Sequence, residues 1–158
     1  MVAKKSFRKF KSKNVKIKGY YTIFIFLLLV LFDRLAKIWA ANLNISKDYG
    51  ILAFTFVTNT GAGFSILQNM NLVLIIIAVI VLILLIYFNK EIPRFSLLTI
   101  VSGITGNLID RISYGSVIDF INLKFWPIFN IADSLIFIGV IYWIILIIKY
   151  ERDSKAKK

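Results

Sequence analysis

Cysteine and histidine are both missing from this 158-residue chain. Without them there is no disulfide, no thiolate nucleophile, no His-Cys zinc site and no Ser-His dyad. Any chemistry must run on Asp, Lys, Ser, Tyr or backbone groups. Acidic residues are also scarce, eight against twenty Lys and Arg, and charged residues are only 18% of the chain. A soluble domain of this length would need more polar surface than that.

Apolar residues fill the space, at 59% of the sequence, and they fall in runs. Four runs read as membrane-crossing helices of about 20 residues, at roughly 20–39, 72–88, 95–113 and 133–150. The stretch 41–69 is not a span. Within it 50–58 alternates and is rich in β-branched and aromatic residues, as a short strand would be, and Asn59-Thr60-Gly61 followed by Gly63 is a turn signal. Irregular backbone is disfavoured against lipid, so this segment belongs at the membrane surface. The expected fold is a single domain over 1–158. It is an all-α membrane protein of four transmembrane helices, with a small extracytoplasmic β-rich segment between helices 1 and 2.

The net charge of +12 could suggest nucleic acid, but the basic residues are not interleaved with exposed aromatics. Eight lie in the arm at 4–18, two in the loop at 89–94 and five in the tail at 149–158, whereas the two opposite connections carry only Lys47 and Lys124. That asymmetry puts the arm, loop and tail in the cytoplasm and the 114–130 link outside. No cleavable signal peptide is expected in the arm. The expected location is a plasma membrane, with both termini cytoplasmic.

Three of the eight acidic residues fall between Gly103 and Asp133. Carboxylates at a membrane edge are costly and are candidates for function. Gly103, Asn107, Asp110 and Arg111 follow steps of three and four and share a helix face that should turn into the bundle. Asp110 and Arg111 read equally as helix packing with an Asp110–Arg111 or an interhelical ion pair. Asp33 and Lys37 stand at i, i+4 in the favourable order and read first as a structural pair, with Lys37 or Arg34 also able to contact substrate carbonyls or headgroups. Asp119 is a lone carboxylate among Val117, Ile118, Phe120 and Ile121, where desolvation would bias it neutral. Asp133 opens the fourth apolar run with Asn130 three residues before it, where a helix N-terminus favours the ionised form. Such a pair is what an aspartic hydrolase uses, one carboxyl activating water and the other donating to a carbonyl oxygen. The plainer reading makes Asp133 a helix cap.

Five segments in order, F-D-R-L-A-K (32–37), T-N-T-G-A-G-F-S (58–65), G-N-L-I-D-R (106–111), V-I-D-F-I (117–121) and F-N-I-A-D (129–133), resemble the motif boxes of the bacterial lipoprotein signal peptidases, or signal peptidase II. The resemblance implies a four-helix aspartic endopeptidase of the bacterial plasma membrane. Such an enzyme removes the signal peptide from diacylglyceryl-modified prolipoproteins, cutting before the lipidated cysteine. It implies Asp119 and Asp133 as the catalytic pair sharing a proton. It implies substrate-binding or site-shaping roles for Asp33, Lys37, Asn59, Gly61, Gly103, Asn107, Asp110, Arg111 and Asn130. It also implies a β-cradle over the site, binding of the peptide inhibitor globomycin, and no metal or other cofactor. Where the family often has G-A-A-F-S and G-G-A-L-G-N, this chain has G-A-G-F-S and S-G-I-T-G-N, which keep small residues where backbones approach. Asn59, Asn107, Asn130 and Arg111 are the expected hydrogen-bond donors to an extended substrate backbone. Three rivals use the same residues differently: a Ser-Lys hydrolase with Ser65, Ser116 or Ser134 beside Lys37; a Mg²⁺-dependent lipid-phosphate enzyme on Asp110, Asp119 and Asp133; and a proton or ion transporter.

Overall fold

In the computed structural model, helix α1, Gly19–Asn42, buries only Asp33, Lys37 and Ala40. Their spacing of four and three puts them on one stripe, while Phe24, Leu28, Leu31 and Leu35 on the rest of the helix stay exposed. That is the reverse of a helix on a soluble core, which turns its apolar stripe inward. The structure describes residues 19–62 and 66–156. The basic arm at 1–18, Gly63, Ser65 and the last two residues of the tail lie outside them.

The other helices repeat the inversion. Helix α2, Asn71–Tyr87, is apolar on every side and buries only Leu74. Helix α3, Arg94–Tyr114, buries Ser96, Thr99, Ser102, Gly103, Gly106 and Asp110, with Ile100 as the one bulky apolar residue among them. Helix α4, Ile131–Lys155, buries Ala132 and Gly139. Small residues let backbones approach where lipid supplies no driving force of its own. A Cβ on Gly103 would sit 2.3 Å from the Ala132 carbonyl oxygen, and one on Gly139 would sit 2.3 Å from Thr99 Oγ1. The buried hydroxyls of Thr99 and Ser102 are satisfied within their own helix, by Phe95 O at 3.0 Å and Leu98 O at 2.7 Å. Among the described residues one helix, Ile131–Lys155, is long and apolar enough by itself to cross a membrane, and Asn71–Tyr87 is apolar at 17 residues.

A three-stranded antiparallel sheet covers one end of the helices. Its order is β1 (Ser46–Asp48), β2 (Ala53–Asn59), β3 (Val117–Asn122). Asp48 faces Ala53, Ala53 faces Asn122 and Asn59 faces Val117, with an irregularity between Phe54 and Val57. Here the sequence expectation needs correcting. The β structure is not confined to 41–69, since its third strand comes from the link after α3. Nor does a strand begin at residue 50, because Gly50 takes φ +89° in the turn between β1 and β2. Gly115 ends α3 in the left-handed region at φ +73°, its N–H on Arg111 O, and this turns the chain back into β3. The sheet is fixed to the helices by a cluster of Ala40, Ile45 and Phe120, flanked by Phe54, Phe56 and Ile131.

Candidate active site

Five elements, α1, β2, α3, β3 and α4, bring polar groups to one place beneath the sheet. Residue 130, just before α4, is its centre. Asn130 is fully buried, and its Oδ1 accepts the Asp133 backbone N–H at 2.9 Å while Asp133 Oδ2 accepts the Asn130 N–H at 3.1 Å. This reciprocal capping box makes Asp133 a helix cap, as the plainer sequence reading had it. Capping occupies one carboxylate oxygen, and the other, Oδ1, accepts from Asn107 Nδ2 at 2.8 Å. Asn130 Nδ2 in turn donates to Asp119 Oδ1 at 2.7 Å. Thus Asp119 and Asp133 each lie one hydrogen bond from the same asparagine.

Asp119 comes from the middle of β3, opposite Val57, and is buried. Its Oδ2 accepts from Asn59 Nδ2 at 3.0 Å. Burial, and next the nearby charge of Asp133, push the Asp119 carboxyl up to about 6, against the bonds from Asn59 and Asn130 that favour the ionised form. Asn59 is itself held by the turn it opens: Gly61 N–H donates to Asn59 Oδ1 at 2.9 Å. A Cβ on Gly61 would come 2.7 Å from Ile66 O, so the turn closes only around glycine.

Behind this pair lies a second buried cluster. Lys37 Nζ has three acceptors, Asp33 Oδ2 at 2.8 Å, Asp110 Oδ2 at 2.9 Å and Asn107 Oδ1 at 2.9 Å. An ammonium has only three donors, so Lys37 is saturated. Asp33 Oδ1 accepts the Ala132 N–H at 2.8 Å, tying α1 to the first turn of α4. Asp110 pairs with Arg34 as well as Lys37 and accepts the Ile118 N–H at 3.3 Å. Two acids and two bases balance, as a buried charge cluster requires. Because Lys37 holds Asn107 Oδ1, the Asn107 amide must turn its NH₂ to Asp133.

All eleven residues picked from the sequence fall in or against this site, but some partners differ from expectation. Arg111 does not pair with Asp110. Its Nη2 donates to Gly61 O at 2.6 Å, reaching across to the turn after β2, while its Nη1 is buried without a hydrogen bond among the described residues. Arg34 pairs with Asp110 and lies over the Tyr114 ring, 5.8 Å from its centroid. Asn59, Asn107 and Asn130 each donate an amide N–H to a carboxylate, and Arg111 Nη1 is a buried donor without a hydrogen bond among the described residues. Gly103 and Gly106 act by closeness, α3 meeting Ala132 at Gly103 and Asp33 at Gly106. Sequence reasoning passed over Asn71, whose Nδ2 donates to Arg111 O at 3.0 Å and ties the start of α2 to the end of α3. Its place just before an apolar run was the available signal. Ser134 Oγ is bonded to Asn130 O at 3.0 Å rather than to a lysine. No group of three acidic side chains converges as a metal site among the described residues.

Fold and site together define a helical protein with an apolar exterior and a buried cluster of carboxylates and amides under a small sheet. Residues 25–149 match the family model described as signal peptidase (SPase) II. The chain is 39% identical over 151 residues to a lipoprotein signal peptidase of Clostridium tetani (strain Massachusetts / E88), covering 85% of this chain and 97% of that one. It is 40% identical over 133 residues to a lipoprotein signal peptidase of Syntrophomonas wolfei subsp. wolfei, with 78% and 89% covered. Among solved structures, a bacterial membrane enzyme determined by the in meso method at 2.3 Å resolution superposes with a TM-score of 0.77 at 32% identity, over 92% of this chain and 96% of that one. A second, at 1.9 Å resolution, gives a TM-score of 0.74 at 34% identity, over 85% and 96%. The chain belongs to the signal peptidase II family, and it is a peptidase of lipoprotein processing.

Proposed function

We propose that the protein is an intramembrane aspartic endopeptidase that removes the signal peptide from diacylglyceryl-modified prolipoproteins, cutting before the lipidated cysteine, with Asp119 and Asp133 as its catalytic pair. The observation that carries this reading is that Asp119 and Asp133, 14 residues apart in the chain, are both bonded to buried Asn130. One carboxyl of such a pair stays protonated because two adjacent charges in a desolvated site repel. Burial and the charge of Asp133 push the Asp119 carboxyl up to about 6, toward sharing one proton within the pair. Asp133 accepts from Asn107 and from the Asn130 backbone at a helix N-terminus.

In the reaction, the ionised carboxyl of the pair takes a proton from water as that water attacks the scissile carbonyl, and the protonated one gives its proton to the carbonyl oxygen. Collapse returns a proton to the leaving amine and restores the pair. Asn130 and Asn107 hold the two carboxyls at fixed orientation through these steps. Arg111 Nη1, a buried donor without a hydrogen bond among the described residues, can serve the extended substrate backbone.

The rest of the reading concerns the membrane. The apolar exteriors of all four helices suit four spans with both termini cytoplasmic, the sheet outside and the carboxylates near the external face. Substrate lipid chains stay in the bilayer, so the bond must be met there. The test is incubation of the purified protein with a diacylated prolipoprotein, with and without globomycin. Cleavage before the lipidated cysteine, blocked by globomycin, is expected. Equal cleavage of the unlipidated precursor, or loss of activity with a chelator, would refute it.

A further inference from the structure

The two ends of the sheet carry opposite chemistry. At one end Asn59 and Val117 face each other, and Asn59 holds Asp119. Six residues along β2, about 20 Å at strand rise, Ala53 lies between Asp48 and Asn122. That register brings the β1–β2 turn and the loop after β3 out side by side. Large apolar side chains crown both: Tyr49 is 66% exposed, Ile51 76%, Phe125 75% and Trp126 50%.

These loops are built rather than slack. Gly50 N–H donates to Asp48 Oδ1 at 2.8 Å, and Lys124 N–H donates to Asn122 Oδ1 at 2.8 Å. Lys124 Nζ then pairs with Asp48 Oδ2 at 2.5 Å, tying one loop to the other. The end is also continuous with the exterior of α1. Trp39 packs edge-on against Phe54 at 6.2 Å between centroids, and Phe54 against Tyr49 at 6.4 Å. An aromatic line therefore leads from the exposed apolar face of α1 to the tip of the turn.

We propose that this end of the sheet is a membrane-interface anchor, with Tyr49, Ile51, Phe125 and Trp126 entering the headgroup–acyl boundary of the bilayer beside α1. The proposal rests on the spanning arrangement above and adds the occupant of this surface. A lipid interface is the partner indicated because the patch prolongs a helix face that is apolar throughout. Tyr and Trp favour that depth, and Lys47 beside them meets anionic headgroups, Lys124 being held by Asp48. The anchored end fixes the angle of the sheet, and the opposite end presents Asn59 and Asp119 to the rest of the site.

The chain has no cysteine, so single labels can be placed without background. An environment-sensitive fluorophore would be attached at Ile51→Cys, at Phe125→Cys and, as the reference for spanning, at Ile80→Cys in the middle of α2. Each protein would be placed in phosphatidylethanolamine–phosphatidylglycerol nanodiscs, and quenching by spin-labelled lipid compared with quenching by aqueous iodide. The labels at 51 and 125 should be quenched several-fold more by lipid spin-labelled near the headgroup than by iodide, and the label at 80 by lipid labelled deep in the chain. Quenching at 51 and 125 by iodide alone, with 80 still lipid-quenched, overturns the anchor and leaves the spanning reading standing. Iodide quenching at 80 overturns both. Shielding at 51 and 125 that appears only when prolipoprotein is added also overturns the anchor, and assigns the patch to substrate polypeptide. As a functional readout, Ile51→Ser/Phe125→Ser should raise KM several-fold in the bilayer while leaving cleavage in detergent at the wild-type level. An unchanged KM in the bilayer would contradict it.

Discussion

Asn130 shows how much of the site depends on one amide. Its Nδ2 reaches Asp119 Oδ1, Asn107 Oδ1 at 3.1 Å and Ile118 O at 3.2 Å, while its Oδ1 caps α4. Asn130→Ala strips all four contacts and leaves buried acceptors unpaired, which costs about 1–3 kcal/mol for each group left without a partner. We expect a fall in thermal unfolding temperature together with a large loss of cleavage, measured on the same preparation. Asp119 gives the opposite sign. Its folded carboxyl is raised from an ordinary 3.8 to about 6, so the folded state holds the proton over a range where the unfolded state has lost it. Stability therefore falls as pH rises from about 4 to about 6 and is flat above, at a cost of about 3 kcal/mol. Asp119→Asn removes that cost. It should unfold at a higher temperature than wild type at pH 7.5, with the gap closing toward pH 4, and a variant less stable at every pH would show that Asp119 is not strained by its burial. At this scale the sequence was informative about which residues matter and poor about whom they touch. Asp33 and Lys37 met as their i, i+4 spacing implied, but Asp110 and Arg111, adjacent in the chain, point to different partners on α1 and at Gly61.

The helices were legible because each apolar run is long and unbroken, although their ends moved by up to five residues where the charged tail continues α4 to Lys155. The sheet was half legible. β2 alternates enough to be read, whereas V-I-D-F-I-N buries four successive residues and shows no period of two, and S-K-D has no apolar residue at all. Both strands form because β2 lies between them, which is a tertiary cause and leaves no local trace. The contact of α3 with α4 tests the packing claim at this scale. In Gly103→Ala the new methyl meets the Ala132 backbone carbonyl, which cannot swing aside as a flexible side chain can. We expect a destabilisation of about 1–3 kcal/mol by overpacking, read by thermal unfolding in detergent, and reduced cleavage because the first turn of α4 carries Asp133. Gly19→Ala, where a Cβ meets nothing within 4 Å, should change neither.

The molecule as a whole is a bundle turned inside out, with its charges and hydroxyls between the helices and its bulky side chains around them. Composition alone already implied this, since 59% apolar residues cannot be hidden in a chain of 158. The proposed direction of insertion rests on where the basic residues lie, and under it a cysteine at Lys47 should react with an impermeant thiol reagent in intact cells. Labelling only after lysis would invert the topology. What composition could not supply is the meeting of two remote carboxylates, which depends on α3, β3 and α4 converging on one asparagine. The most direct test of that meeting is cleavage of a diacylated prolipoprotein in proteoliposomes by wild type, Asp119→Asn and Asp133→Asn, each checked for intact folding. The account predicts that each substitution alone lowers the rate by about 10³-fold or more, whereas either variant cutting at near the wild-type rate would contradict it.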